Sequence, residues 1–450
     1  MKKHILVLAL TFIPLFVSGQ KRGNVWCFGH GASIDFNGSV PVNDSSALIS
    51  RGSCASICDT NGQLLFYSGY DDDQYSIFGP PFQNGEIFTS QHTTMQNGDS
   101  IVMQLWYYEN VIIPFPKSDS IYYVFSIGET NSSFKGFFYS IIDMSLNGGL
   151  GGVIQKNVQL QNFKCTDGIT AIKHGNGRDW WVVFKRWDFN NNTLYKYLIT
   201  PSGISNTITQ NIGTSTANGF AKMKFSPEGN KMALLTLTGL FELYDFDRCT
   251  GLLSNPYTVF PEQSFPYSHY FWDGQFSPSG NIFYTTSSWD TSRFIQYDLQ
   301  AANIPSSADT LWQTNTNINQ FGQVKLAPDN KIYLTTWYAN GFQFPFPYAD
   351  TMTNVYNSYL SVVNQPDSMG GSCDFQPYSF YLGGKRTYLG LPNNPDYDMP
   401  ALAGSPCDTL VGISEASPSI INPQLNLFYH PQWQTAFINA QKLTGSNYRL

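Results

Sequence analysis

Charge is scarce in this chain. Of 450 residues only 13% are Asp, Glu, Lys or Arg, about half of the ~25% usual for a soluble domain. The balance of 25 basic against 32 acidic side chains leaves a formal charge of −7. Attraction to a phosphate backbone needs a basic surface, so a nucleic-acid partner held by net charge is not expected. Cysteine is also sparse, at seven residues: Cys27, Cys54, Cys58, Cys165, Cys249, Cys373 and Cys407. That density excludes a small disulfide-built scaffold. Three bridges and a free thiol would suit an oxidising compartment, but spacing does not specify the pairing. Cys54 and Cys58 fall on one face of an extended segment, a poor geometry for bonding each other. No C-x2-C pair and no histidine at ligand spacing points to zinc.

Local catalytic motifs are missing too. Beyond His4, the histidines His30, His92, His174, His269 and His430 are widely separated, with no H-E-x-x-H arrangement. There is no G-x-S-x-G elbow and no glycine-rich phosphate loop leading into a helix. The sharpest acidic cluster, Asp71-Asp72-Asp73, lacks the spacing of a calcium loop and reads as a solvated turn. No catalytic residue, metal or cofactor is therefore expected. Carboxylate pairs drawn from distant segments would escape a motif search, so a polysaccharide hydrolase or lyase stands as the alternative reading.

Aromatic residues are abundant: 34 Phe, 27 Tyr and 10 Trp. They offer enough apolar surface to exclude a disordered chain. At the N-terminus, Lys2, Lys3 and His4 precede an apolar run from Ile5 to Val17, followed by Ser18, Gly19 and Gln20. A basic start, a short hydrophobic stretch and a small-residue exit describe a secretory signal peptide over 1–20. The stretch is shorter than the ~20 apolar residues of a membrane span, and no later run is long enough, so no membrane span is expected in the mature protein.

The strongest signal is internal. A turn followed by an apolar strand recurs at Asp59-Thr-Asn-Gly-Gln-Leu-Leu-Phe-Tyr, Lys117-Ser-Asp-Ser-Ile-Tyr-Tyr-Val-Phe and Gly175-Asn-Gly-Arg-Asp-Trp-Trp-Val-Val. It continues at Ser226-Pro-Glu-Gly-Asn-Lys-Met-Ala-Leu-Leu, Ser277-Pro-Ser-Gly-Asn-Ile-Phe-Tyr, Ala327-Pro-Asp-Asn-Lys-Ile-Tyr-Leu and, more weakly, Gly383-Gly-Lys-Arg-Thr-Tyr-Leu. With Asn61, Asp119, Gly177, Gly229, Gly280, Asn330 and Gly384 as markers, the steps are 58, 58, 52, 51, 50 and 54 residues. Asn-Gly and Pro-x-Gly-Asn supply the backbone angles of a hairpin turn, and the flanking runs are short and rich in aromatic and β-branched residues, as strands are. A period near 50 with strand–turn–strand content is that of a propeller blade. One blade cannot cover both its faces, and a ring of blades does so. The fold class is all-β: a β-propeller of seven blades over 21–395, with Val25-Trp-Cys-Phe as the strand that closes the ring against the last blade. Six or eight blades also fit, because 86–105 and 342–357 are irregular. A string of separate β-sandwiches would show Pro-, Gly- or Ser-rich linkers before Pro392, and none is evident.

Asn24-Val-Trp-Cys-Phe-Gly, Ile34-Asp-Phe and Cys54-Ala-Ser-Ile-Cys-Asp-Thr-Asn-Gly-Gln-Leu-Leu-Phe-Tyr resemble the opening of secreted Bacteroidetes β-propeller proteins, which are WD-repeat-like. Tyr139-Ser-Ile-Ile-Asp-Met-Ser-Leu-Asn-Gly-Gly-Leu-Gly, Phe225-Ser-Pro-Glu-Gly-Asn-Lys and Gly383-Gly-Lys-Arg-Thr-Tyr-Leu-Gly-Leu-Pro-Asn extend the likeness over about residues 23–395. The resemblance implies a propeller without catalytic residues that precedes adhesive modules or a C-terminal sorting signal. Beyond it, 396–420 reads as a linker rich in Pro, Ser and Asp. Three short strands are expected at Leu425-Asn-Leu-Phe-Tyr, Thr435-Ala-Phe-Ile-Asn and Tyr448-Arg-Leu. The region 421–450 is similar to the start of the β-sandwich sorting domain of type IX secretion, with His430-Pro431 where a Tyr-Pro-Asn-Pro-like start is usual and with fewer strands than that domain.

Aromatic loops carry the functional expectation. Trp106-Tyr107-Tyr108, Phe265-Pro-Tyr with His269-Tyr270-Phe-Trp272, and Trp337-Tyr338 with Phe342-Gln-Phe-Pro-Phe-Pro-Tyr348 fall between strands. Rings gathered at one mouth of a propeller would bind sugars or peptide side chains; rings packed between blades are the structural alternative. The expected ligand contacts are Trp106, Tyr107, Tyr270, Trp272, Trp337 and Tyr338. The reading is a monomeric, secreted or cell-surface binding, adhesion or structural module, partnered by a surface glycan or protein and exported by the type IX machinery.

Overall fold

A computed structural model describes residues 21–70, 85–128, 135–188, 191–216, 219–264, 270–287, 291–314, 319–338 and 352–408, with a separate pair of strands at 424–430 and 435–441. Seven antiparallel sheets follow one another along the first unit, which ends at Cys407. The N-terminal sheet holds β1 (Val25–Phe28), β2 (His30–Asp35) and β3 (Val42–Ile49). The second holds β4 (Cys54–Cys58), β5 (Leu64–Tyr70) and β6 (Gly85–Thr89). The third runs β7 (Asn110–Pro114), β8 (Ile121–Gly128), β9 (Gly136–Asp143) and β10 (Gly152–Gln161). The fourth has five strands, β11 (Cys165–Lys173), β12 (Trp180–Arg186), β13 (Asn191–Thr200), β14 (Gly203–Ile204) and β15 (Ile208–Thr216).

The fifth sheet is β16 (Ala221–Phe225), β17 (Lys231–Thr236), β18 (Phe241–Asp247) and β19 (Leu252–Phe260). The sixth is β20 (Phe271–Phe276), β21 (Ile282–Ser287), β22 (Ser292–Asp298) and β23 (Asp309–Thr314). The last is β24 (Asn319–Leu326), β25 (Ile332–Tyr338), β26 (Tyr359–Val363) and β27 (Phe375–Tyr381). The protein is a seven-bladed, nearly all-β propeller, as the repeat predicts.

The alternation of burial explains why the sheets form a ring. Inner and middle strands are covered on both faces: β4 is buried at every position, and β12 at every position but its last. Outermost strands such as β19 are mostly exposed. The large hydrophobic clusters sit between neighbouring blades. One joins Ile172, Trp181 and Val183 of the fourth to Met223, Leu234 and Tyr244 of the fifth, and the next joins Leu235 and Phe241 to Phe276 and Phe283. Between the third and fourth blades Phe137 stacks on Phe184 at 4.1 Å between ring centroids. Aromatic faces supply large contact areas with few torsions to fix.

Ring closure differs in one respect from the expectation. Gly384 does not mark a hairpin of a seventh blade; the remaining blade is the N-terminal sheet itself. This sheet is wedged between the last blade and β4, with Trp26 against Tyr333 of β25 at 5.9 Å and one cluster spanning all three. Gly383 and Gly384, at φ 64° and 86°, instead turn the chain out of β27. Glycine takes that conformation without strain, whichever kind of segment follows, so the sequence signature is the same.

From this turn the chain crosses the ring. Arg386 bridges to His30, Leu389 accepts from Gln323 N, and Gly390 N donates to Arg51. Asn393 donates through its side chain to the carbonyls of Asn110 and Ile169, at 2.9 and 3.0 Å, on the third and fourth blades. Gly390 meets the backbone of Gly52 so closely that a Cβ on it would lie 2.2 Å from the Gly52 oxygen. Residues 396–407, read from composition as linker, continue along the propeller. Tyr397 is buried and donates to the Ile112 carbonyl, Arg248 donates to Pro400 O, and Cys407 is bonded to Cys249. The second unit contains β28 (Gln424–His430) and β29 (Thr435–Gln441), an antiparallel pair. The third expected strand, Tyr448-Arg-Leu, lies outside the described residues, as does Asp71-Asp72-Asp73. No helix among the described residues is long and apolar enough to cross a membrane.

Candidate functional site

The first strand of each blade faces the axis, and strand geometry places residues i and i+2 on one face. Lys222 and Lys224 of β16, Asp273 and Gln275 of β20, and Gln323 and Lys325 of β24 are three such pairs. Asp167 of β11 and Glu109, just before β7, join them in a column of polar side chains inside an aromatic shell. Burying charge is costly unless it is paired, and the carboxylates of the column are hydrogen-bonded through at least one oxygen each. Tyr108 donates to Asp273 Oδ2 at 2.5 Å, and the same oxygen accepts from Val324 N at 2.9 Å. Gln104 donates to Asp167 Oδ1 at 2.6 Å. Glu109 accepts from the backbone N–H groups of Trp106 and Tyr107 at 3.0 and 2.6 Å. Burial, followed by the Asp167 charge, raises the Glu109 carboxyl well above the ordinary range.

At one end of the column four of the expected residues come together. Trp106, Trp272 and Trp337 pack into a single apolar cluster with Leu389. Tyr107 lies 4.8 Å from Trp272 and 5.9 Å from the exposed ring of Phe220. Trp106 and Trp272 are partly open to solvent, while Tyr107 and Trp337 are buried. Lys222 rises beneath them, with Nζ 3.5 Å from the centre of the Tyr107 ring and 5.5 Å from that of Trp272. It is fully buried, and its Nζ makes no hydrogen bond. Cation–π attraction at a desolvated site is worth about 2 kcal/mol. Burial still draws the amine down to about 7, against the opposing pull of Asp167, Asp273 and Glu109.

The other two expected residues are Tyr338 and Tyr270. Tyr338, at the end of β25, stacks on Tyr356 at 6.2 Å, and Tyr270 is half-buried at the entry to β20. Phe265, His269 and Phe342 to Tyr348 fall outside the described residues. Among the described residues no group of three or more His, Cys, Asp or Glu is arranged to hold a metal.

The axial lysines and carboxylates were missed in the sequence. Their signal was present as the alternation Lys222-Met-Lys224, Gln323-Val-Lys325 and Asp273-Gly-Gln275 in the strand before each marked turn. Polar residues recurring at i and i+2 in an otherwise apolar, doubly covered strand must share a face, and in a ring that face looks at the axis.

These features define the class: a seven-bladed β-propeller with a polar axis and an aromatic mouth. No family model matches the chain, and no curated protein matches it. Among solved structures it is similar to a 6-phosphogluconolactonase candidate from Bacteroides uniformis, at 13% identity and a TM-score of 0.43, covering 76% of this chain and 92% of that one. A functionally unknown protein from Desulfotomaculum acetoxidans matches at 11% identity and a TM-score of 0.42, covering 82% and 97%. The β-propeller domain of Myceliophteria thermophila Cps50 matches at 7% identity and a TM-score of 0.39, covering 70% and 92%.

Proposed function

We propose that this protein is an exported, non-catalytic recognition module whose ligand, a surface glycan or a protein, docks on the aromatic mouth. The observation that carries the reading is the convergence of Trp106, Tyr107, Trp272 and Trp337 from three different parts of the chain above a buried lysine. Partly exposed indole rings offer flat apolar faces to a sugar ring or a peptide side chain. Export is supported by the Lys2-to-Gln20 pattern. It is supported further by the Cys249–Cys407 bond, of a kind that persists in oxidising compartments.

Binding of the purified protein to glycan and peptide arrays tests the site. The expected result is a defined class of ligand whose affinity falls at least tenfold in Trp272→Ala and Trp106→Ala. Polysaccharide turnover lost on substituting an axial carboxylate would replace this reading with an enzymatic one. Export through type IX secretion predicts that the protein from culture medium begins near Gln20 and that removing 421–450 holds it in the cell.

A further inference from the structure

The opposite end of the axial column opens into a cavity of about 390 Å³. Its walls are the far ends of β11, β16, β20 and β24, the N-terminal Gly23, Asn24 and Trp26, and the segment Asn393–Met399 that crosses the ring. Two lysines, Lys224 and Lys325, line it. Lys224 makes no hydrogen bond among the described residues. Its Nζ stands 3.7 Å from the centre of the Tyr108 ring and 3.9 Å from Asp273 Oδ1. Lys325 donates to the Asn394 carbonyl at 2.9 Å and has two further N–H bonds to give.

Both side chains line the same cavity, and after burial the Lys224 charge opposes charging of Lys325. The carboxylate whose charge acts on both is Asp273, with Oδ1 3.9 Å from Lys224 Nζ and Oδ2 already engaged by Tyr108 and Val324. Two cations thus share one carboxylate at the base of a cavity. A second carboxylate, brought by a ligand, would balance them.

We propose that this cavity binds a small hydroxylated carboxylate of about monosaccharide size, its carboxylate lying between Lys224 and Lys325. The volume lies within the range typical of small-molecule sites. Asn24, Ser226 and Gln275 add neutral polar side chains to the lining, each with its amide nitrogen or hydroxyl donated within the protein and its oxygen left to accept from a hydroxyl. Asp396 and Asp398 on the exposed rim oppose a polyanion, which favours one compact negative group. The site is distinct from the aromatic mouth and does not depend on that reading.

The charged and titratable groups facing the lysines are Asp273 from β20, Cys54 from β4, Tyr108 ahead of β7 and Asp396 from the crossing segment, while Asp398, which also lines the cavity, faces Asp396, Lys173 and Arg22. Burial lowers both lysines, Lys325 to about 7, whereas burial and Asp396 raise the Asp398 carboxyl to about 6. Raising the pH from 6 to 8 discharges Lys325 and charges Asp398. Both changes weaken anion binding.

Titration calorimetry with D-glucuronate, with glucose and inorganic phosphate as comparison ligands, tests the proposal on the intact protein. Glucuronate should bind at pH 6 and at least fivefold more weakly at pH 8, and glucose should not bind. Lys224→Gln and Lys325→Gln should each reduce affinity at least tenfold, in variants whose circular dichroism and thermal midpoint show a folded propeller. Trp272→Ala should leave glucuronate affinity unchanged. Binding of phosphate without glucuronate, binding undiminished in both lysine variants, or no binding by the folded wild type would overturn it.

Discussion

At the scale of single residues, the axis sets apolar burial against charge. Lys222 sits in an aromatic cage with no hydrogen bond to its Nζ, so its ammonium form is stabilised by ring faces and distant carboxylates alone. A lysine depressed from 10.5 to about 7 binds fewer protons in the folded than in the unfolded state between those values. Stability attributable to it therefore rises with pH across that window and is lost as pH falls toward 7. Lys222→Met, which keeps the length of the side chain and removes the charge, should be the more stable protein near pH 7. Its advantage over the wild type in urea unfolding should shrink steadily as the pH is raised toward 10. A gap that does not change with pH would show that Lys222 is uncharged, or compensated, throughout. What the sequence disclosed here was type and alternation, as in Lys222-Met-Lys224. It could not disclose that Lys222 and Lys224 serve opposite ends of one column, because that depends on where the strand crosses the axis.

The elements were legible where chemistry is local. The turns at Gly177, Gly229, Gly280 and Asn330 all adopt positive φ, between 60° and 75°, the conformation that made them recognisable as markers. Gly384 has the same chemistry but introduces a crossing segment, which a turn signature cannot distinguish. That segment is secured at its far end by the Cys249–Cys407 bond, joining positions 158 residues apart. Pairing over such a span is set by the finished fold and was not readable from spacing. Cross-links of this kind contribute about 2–4 kcal/mol, chiefly by restricting the unfolded chain. Cys407→Ser should lower the unfolding free energy by about that amount and should make 400–407 the first site of proteolytic cleavage. Dithiothreitol should lower the thermal midpoint of the wild type but not of the variant. Equal midpoints for both proteins under oxidising conditions would exclude a stabilising bond. The other described cysteines are buried free thiols, so Cys27→Ser should not reproduce this reductant response.

For the whole molecule, the decisive contacts are those that turn a row of blades into a ring. Six blades are built from consecutive sequence between Cys54 and Tyr381, and each covers its neighbour. The seventh comes from the N-terminus, and its place beside the last blade is secured by Trp26 against Tyr333 and by the His30–Arg386 bridge. Residues 387–394 then tie the last blade to the second, third and fourth through Leu389, Asn393 and Asn394. Without them the axial polar groups would lose partners: Lys325 its carbonyl acceptor and Ser56 N its side-chain acceptor. Leaving buried groups unsatisfied costs about 1–3 kcal/mol each, and several are involved. A chain of residues 21–407 should therefore unfold in one cooperative transition with the midpoint of the full protein, since the compact unit ends at Cys407. A chain of 21–385 should lose that cooperativity, with a broad transition and exposed apolar surface that binds a hydrophobic dye. If 21–385 unfolded as sharply and at the same temperature, the ring would be closed by inter-blade packing alone, and the crossing segment would only line the axis.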